Sequence, residues 1–94
     1  MAFAFEWDPH KAATNARKHG VTFDEAATAF HDPRGRIVED PRHPHGERRY
    51  ALLAYSEDQR LLAVMFTERG DRIRLISARK ATRRERHDYE EDQR

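Results

Sequence analysis

Cysteine is missing from all 94 residues, which excludes disulfides and thiolate metal sites and leaves nothing to argue for an oxidising compartment. Long apolar runs are missing too. No stretch approaches the ~20 residues that span a bilayer, and the opening MAFAFEWD has neither a basic leader nor an apolar core. A cytoplasmic address and no membrane partner are therefore expected. Glycine and proline are scarce, four of each, so each one marks a particular break in the chain. An excess of one charge is also lacking, since 18 Lys and Arg stand against 17 Asp and Glu for a formal net charge of +1. The balance conceals an uneven distribution, because residues 60–80 carry six Lys and Arg and only two Asp and Glu. A local basic surface can bind phosphate even on a nearly neutral chain, although arginine also serves to protect sheet edges and keep surfaces soluble.

What is present is periodic. Apolar residues are 37% of the chain and charged residues another 37%. A chain of this length buries only about 60–65% of its unfolded surface, enough for one small core. One domain over residues 1–94 is expected, folded from about 3 to 89, with the EEDQR of 90–94 as a flexible tail. Phe3, Phe5 and Trp7 alternate with Ala4 and Glu6, the period of a short strand. Asp8 then suits an N-cap and Pro9 the first helical position, so a helix should run from Pro9 to about His19 and stop at Gly20. Thr22-Phe23-Asp24-Glu25 has capping-box spacing, with Thr22 bonding the N3 amide and Glu25 reaching back. Phe23, Ala26, Ala27 and Phe30 would form the apolar face of that second helix, which Asp32-Pro33 ends. A short strand is expected near 36–39, then a mobile Pro/His loop from Asp40 to Glu47. Strands at about Arg49–Tyr55, Arg60–Glu68 and Arg72–Arg79 follow with short connections, which imply an antiparallel meander. Thr82-Arg83-Arg84-Glu85 repeats the capping box and should open a third helix that passes Tyr89. The expected fold class is α+β, an antiparallel β-sheet with two N-terminal helices and one C-terminal helix.

Anion-gripping chemistry concentrates in Ile73 to Tyr89, IRLISARKATRRERHDY, where a strand runs almost directly into a helix that opens on arginines. Strand alternation would place Ile73, Leu75, Ser77 and Arg79 on one face and Arg72, Arg74, Ile76 and Ala78 on the other. Arg79 is the first candidate for a phosphate clamp, and Arg69, on the neighbouring strand, is expected to join it. A salt bridge from Arg79 to Glu85 that fixes the corner is the plainer alternative. Arg83 and Arg84 stand in the first turn of a helix, where each opposes the macrodipole by ~0.3–1 kcal/mol, and tolerating both points to an anionic partner. Lys18 and His19 lie at a helix C-terminus, where a cation is favoured on structural grounds alone. Tyr89 can pack its ring on the sheet or offer its hydroxyl to a ligand. His31, Asp32, His43 and His45 invite a metal reading but match no zinc spacing, so no metal or other cofactor is expected. The helix–Gly–helix around Gly20 raises direct DNA binding, but the second helix begins with Asp24 and Glu25, which argues against it.

The segments FEWDPHKAATNARKHGVTFDEAATAF, ERRYALLAYSEDQRLLAVMFTERG and IRLISARKATRRERHDY resemble the BrnT family of type II toxins, over about Phe5 to Tyr89. The combination of many fixed spacings at both ends of the chain makes this more discriminating than any single short motif. The resemblance implies a RelE-like fold, endoribonuclease activity that arrests translation, and neutralisation by a BrnA-like ribbon-helix-helix antitoxin, which would supply any DNA contact. RNA carries its own nucleophile, the 2′-OH, so such an enzyme needs no metal. It must assist proton transfer and stabilise charge on the phosphorane. Arg79, Arg69, His19 and Lys18 are the candidates for those catalytic roles, and Arg83, Arg84, Arg74 and Tyr89 for RNA binding. The competing expectation is a non-catalytic module, a degenerate toxin that acts through antitoxin binding and operon regulation.

Overall fold

The computed structural model describes residues 3–41 and 46–92. Its elements are β1 (Ala4–Glu6), α1 (Pro9–His19), α2 (Phe23–Thr28), a 3-10 turn (Ala29–His31), β2 (Arg36–Asp40), β3 (Arg49–Tyr55), β4 (Leu61–Arg69), β5 (Arg72–Lys80) and α3 (Arg83–Glu91). The strands form one five-stranded sheet in the order β1-β5-β4-β3-β2. From β2 to β5 it is the antiparallel meander that the short connections imply. β1 differs, joining the edge of β5 in parallel with Phe5 opposite Ile73, so the sheet is mixed. Period-two alternation says which residues share a face but nothing of which way a strand runs beside its partner.

α1 and α2 cover one face. Val21, Phe23, Ala26 and Ala29 meet Leu52, Ala54, Leu62, Val64, Phe66, Leu75 and Ala78 in a single core. Phe30 packs edge-on against Phe5 and Phe66, both at 5.1 Å between ring centroids, and Trp7 against Phe23 at 5.9 Å. The apolar face of the second helix is thus buried as its spacing requires, although the helix tightens into the 3-10 turn after Thr28.

The caps hold with one exception. Asp8 accepts from the His10 amide at 2.8 Å, and Gly20 closes α1 with a left-handed φ of 68°. Thr22 accepts from the Glu25 amide at 3.0 Å, but Glu25 does not reach back. Its carboxylate takes Ser56 Oγ at 2.7 Å and Arg60 Nε at 2.8 Å, and bonds Arg60 Nη2 as well. The half-buried guanidinium offers it charge-assisted bonds that an exposed backbone N–H cannot match. Those bonds, with the Arg60 hydrogen bond foremost, hold the Glu25 carboxyl below its usual range.

The ends of two expected segments also differ. α3 continues through Glu91, and Asp92 pairs with Arg36 on β2 at 3.1 Å, so 90–92 belong to the folded unit. Residues 93–94 lie outside the described residues. Asp40, expected in the loop, ends β2 and is buried. Residues 42–45, with His43 and His45, lie outside the described residues.

A bulge in β5 determines which side chains reach the face opposite α1 and α2. Met65 pairs with Ser77 and Phe66 with Leu75, leaving Ile76 without an opposite residue. Leu75 and Ala78 therefore both enter the core, three positions apart. The simple alternation that puts Leu75, Ser77 and Arg79 on one face fails at Ile76. Beyond the bulge, Ser77 and Arg79 follow their partners Met65 and Ala63 onto the face opposite α1 and α2.

Candidate functional site

The face opposite α1 and α2, which α3 covers in part through Tyr89 on Tyr55 and Asp92 on Arg36, is rich in arginine because of where the register places them. Pairing puts Arg36 beside Leu53, Arg49 beside Asp40, Arg69 beside Arg72, Arg74 beside Glu6, and Arg79 beside Ala63. Most of these guanidiniums are held by carboxylates. Arg74 Nη1 reaches Glu6 at 2.8 Å and Arg69 Nη2 reaches Glu47 at 3.3 Å.

Arg79 is fixed most firmly. Its two terminal nitrogens donate to the two oxygens of Glu85 at 2.8 and 3.1 Å, and Nη1 also donates to the Lys80 carbonyl at 3.3 Å. Glu85 closes the capping box as well, accepting from the Thr82 amide at 2.9 Å while Thr82 Oγ1 accepts from the Glu85 amide. One carboxylate thereby starts α3 and orients the guanidinium at the last turn of β5. The Arg79 hydrogen bonds pull the Glu85 carboxyl down to about 2, and the same contact raises the Arg79 guanidinium further above its already high value. The Arg79 side chain is still 41% exposed, so part of the fork faces solvent.

Next to this corner a cleft of about 290 Å³ opens between α1 and the free edge of β5. It is lined by His10, Lys11, Thr14, Lys18, His19 and Ser77, with Ile76 and Asn15 completing the floor. Asn15 is the reason α1 sits there. Its Nδ2 donates to the carbonyls of Ala78 (2.8 Å) and Val21 (2.9 Å), and its Oδ1 accepts from the Ala78 amide at 3.0 Å. The buried amide thus occupies the hydrogen-bonding place that another strand would take on β5. Both donors and the acceptor are used. With Asn15 inward, Lys11, Thr14 and Lys18 stand at i−4, i−1 and i+3 and rim the cleft.

Lys18 and His19 share the cleft wall with Ser77, and Arg79, outside the cleft lining, lies two residues, roughly 7 Å, from Ser77 on the same face of β5. The structure separates Arg69 from Arg79. Arg69 pairs with Arg72 and Arg79 with Ala63, at opposite ends of the hairpin and about 20 Å apart at strand rise. Consecutive strands bring residues together only when their distances from the turn match, and these do not. Arg74 stands between them, paired with Glu6. Arg83 and Arg84 are exposed in the first turn of α3 and form no ion pair among the described residues.

Tyr89 is 6% exposed and packs edge-on against Tyr55, with its hydroxyl donating to Asp32 Oδ2 at 2.7 Å. It belongs to the packing that holds α3, not to the surface cations. Asp32 also accepts from the Arg34 and Tyr55 amides, each at 2.9 Å. Burial raises the Asp32 carboxyl, but these three bonds outweigh it and leave it below the ordinary range, while burial and the Asp32 contact push Tyr89 up to about 12. His31 stacks on Phe3 at 5.9 Å. Among the described residues no three His, Asp or Glu come together as a metal site. No helix among them is long and apolar enough to cross a membrane.

Sequence reasoning missed Lys11, Ser77 and the positioning roles of Asn15 and Asp32. An asparagine in the middle of a helix is a signal, because it competes poorly there unless its amide has a tertiary task.

The family described as ribonuclease toxin, BrnT, of type II toxin–antitoxin systems matches residues 7–85. The 1.1 Å crystal structure of the Brucella abortus ribonuclease toxin BrnT superposes with a TM-score of 0.68 at 21% identity, over 87% of this chain and all of that one. At that identity the likeness concerns the fold. Among curated proteins none matches the sequence.

Proposed function

Because the chain belongs to the BrnT family of ribonuclease toxins of type II toxin–antitoxin systems, we propose that it is a metal-independent endoribonuclease that arrests translation by cutting RNA across the sheet face opposite α1 and α2. The observation that carries this reading is the corner where Arg79, held by Glu85, adjoins Ser77 and the cleft with Lys18 and His19. A half-exposed, oriented guanidinium suits the equatorial oxygens of a phosphorane, where charge grows in the transition state. The RNA 2′-oxygen attacks phosphorus and loses its proton, the bond to the 5′-oxygen breaks, and that oxygen gains a proton. The products are a 2′,3′-cyclic phosphate and a 5′-hydroxyl. His19 and Lys18 are the candidates for moving the two protons, and Arg83, Arg84, Arg74 and Arg69 engage neighbouring phosphates along the face. The toxin's partner in this reading is a BrnA-like ribbon-helix-helix antitoxin that covers the same face and provides any contact with DNA.

One observation favours a second reading. Both terminal nitrogens of Arg79 are already bonded to Glu85, as a purely structural corner would have them. A non-catalytic module acting through its antitoxin would retain this geometry. Purified protein incubated with RNA in excess EDTA separates the two. Cleavage that disappears in an Arg79→Ala variant with an intact cooperative melt supports the enzyme, and absence of cleavage by the wild type, with tight antitoxin binding, supports the module.

A further inference from the structure

We propose that the α1–β5 cleft is a phosphate subsite for RNA that seats the phosphate next to the one held at Arg79, with Lys11 and Lys18 as its charges and Thr14 and Ser77 as its hydroxyl donors. It rests on the ribonuclease reading and deepens it, since it assigns Lys18 to substrate binding and leaves His19 as the proton-transfer group.

Four observations carry the assignment. The cleft wall contains Lys11, Lys18, His10 and His19 and no carboxylate. This contrasts with Arg36, Arg60, Arg69, Arg74 and Arg79, each of which has an acidic partner. Lys18 forms no ion pair among the described residues, and Lys11 feels only Asp8, one of whose oxygens is taken by the His10 amide. Second, the donors converge: Lys11, Thr14 and Lys18 lie at i, i+3 and i+7 of one helix and face Ser77 across the opening. Thr14 Oγ1 already accepts from Arg17 Nη2 at 3.4 Å, which leaves its proton to donate outward. Third, the wall cannot drift, because the three hydrogen bonds of Asn15 bolt α1 to Ala78. Lys11 and Lys18 stand two turns apart, about 10 Å along the helix, and an anion seated between them is attracted by both. Fourth, Ser77 and Arg79 share a face two residues apart, so the cleft and the clamp lie along one path. Phosphate repeats along a single strand, and a protein that reads no sequence binds it through such a track of cations.

The test uses the full chain and a short RNA with a 2′-O-methyl group at every position, which binds but cannot be cut. Affinity is measured from 50 to 200 mM salt for wild type, Lys11→Ala, Lys18→Ala, Lys11→Arg and Ser77→Ala. Each lysine removal should weaken binding about tenfold at low salt and lower the slope of log K against log salt by roughly 0.7, the value for one phosphate on a single strand. Lys11→Arg should restore the slope, and Ser77→Ala should weaken affinity with the slope intact. Both lysines are solvent-exposed, so thermal melts should coincide with wild type. Unchanged affinity and slope in both alanine variants would overturn the subsite, as would a loss confined to antitoxin binding, which would make the cleft a protein contact. Wild type that binds with these slopes but cuts no RNA would remove the ribonuclease reading and keep the subsite. Wild type that neither binds nor cuts would remove both.

Discussion

At the scale of single residues, two side chains decide whether the site exists in ordered form. Glu85 bonds Arg79 and the Thr82 amide together, so its carboxylate is worth more than a surface ion pair. Its folded pKa of about 2 lies below the ordinary 4.5, so its contribution is complete above pH 4.5 and disappears as the pH falls towards 2. Glu85→Gln should lower stability by about 1–2 kcal/mol at pH 7, after allowance for partial exposure, and the gap from wild type should close across that acid window in urea titrations. Asn15 has the larger structural effect. Asn15→Asp is nearly isosteric but donates nothing, leaving the Val21 and Ala78 carbonyls facing a buried carboxylate. A loss of about 3 kcal/mol or more is expected in denaturant melts at neutral pH. Neither task is written in the residue type alone. Glu85 was readable through its capping-box spacing, and the plain alternative for Arg79, a bridge to that glutamate, is what the structure contains.

At the scale of elements, the caps and the strand limits follow from local chemistry, and the pairings do not. Asp8-Pro9, Gly20 and Thr22 define helix ends through bonds between near neighbours, which sequence spacing specifies. The parallel seat of β1 and the bulge at Ile76 are set by contacts across the chain, with Phe5 beside Ile73 and Leu75 beside Phe66. Strict alternation therefore misplaced Leu75 relative to Arg79, and strand order alone brought Arg69 too near. Glu25 shows the same limit, since Arg60, 35 residues away, takes the carboxylate that the capping box would have used. α3 is held to the rest of the fold by Glu85 to Arg79, by Tyr89 to Asp32, by Asp92 to Arg36 and by Arg86 to the Tyr55 hydroxyl. Tyr89→Phe leaves the ring in place and deprives Asp32 of one donor. It should cost about 1–3 kcal/mol, and hydrogen exchange should rise in α3 before it rises in the sheet. Above pH 10 the wild type should lose stability as well, because the unfolded tyrosine ionises there while the folded one holds its proton up to about 12.

For the molecule as a whole, a net charge of +1 describes the surface poorly. α1 and α2 bury one side of the sheet, and the register sends Arg36, Arg69, Arg74 and Arg79 to the other, which they share with α3, beside a cleft with Lys11 and Lys18. The basic stretch from 60 to 80 was visible in the sequence; the division between its carboxylate-held Arg60, Arg69, Arg74 and Arg79 and the lysines of the α1 cleft needed the three-dimensional arrangement. That division is the centre of the functional account, in which an oriented Arg79 stabilises charge while neighbouring cations hold the RNA. The most direct measurement is the chemistry of the cut ends, with RNA, excess EDTA and either wild type or Arg79→Ala. Wild type is expected to yield 2′,3′-cyclic phosphate and 5′-hydroxyl ends, and a folded Arg79→Ala to cut at least 100-fold more slowly, in line with loss of one transition-state donor at ~10²–10³. Fragments ending in 3′-hydroxyl and 5′-phosphate, or a variant as fast as wild type, would contradict it.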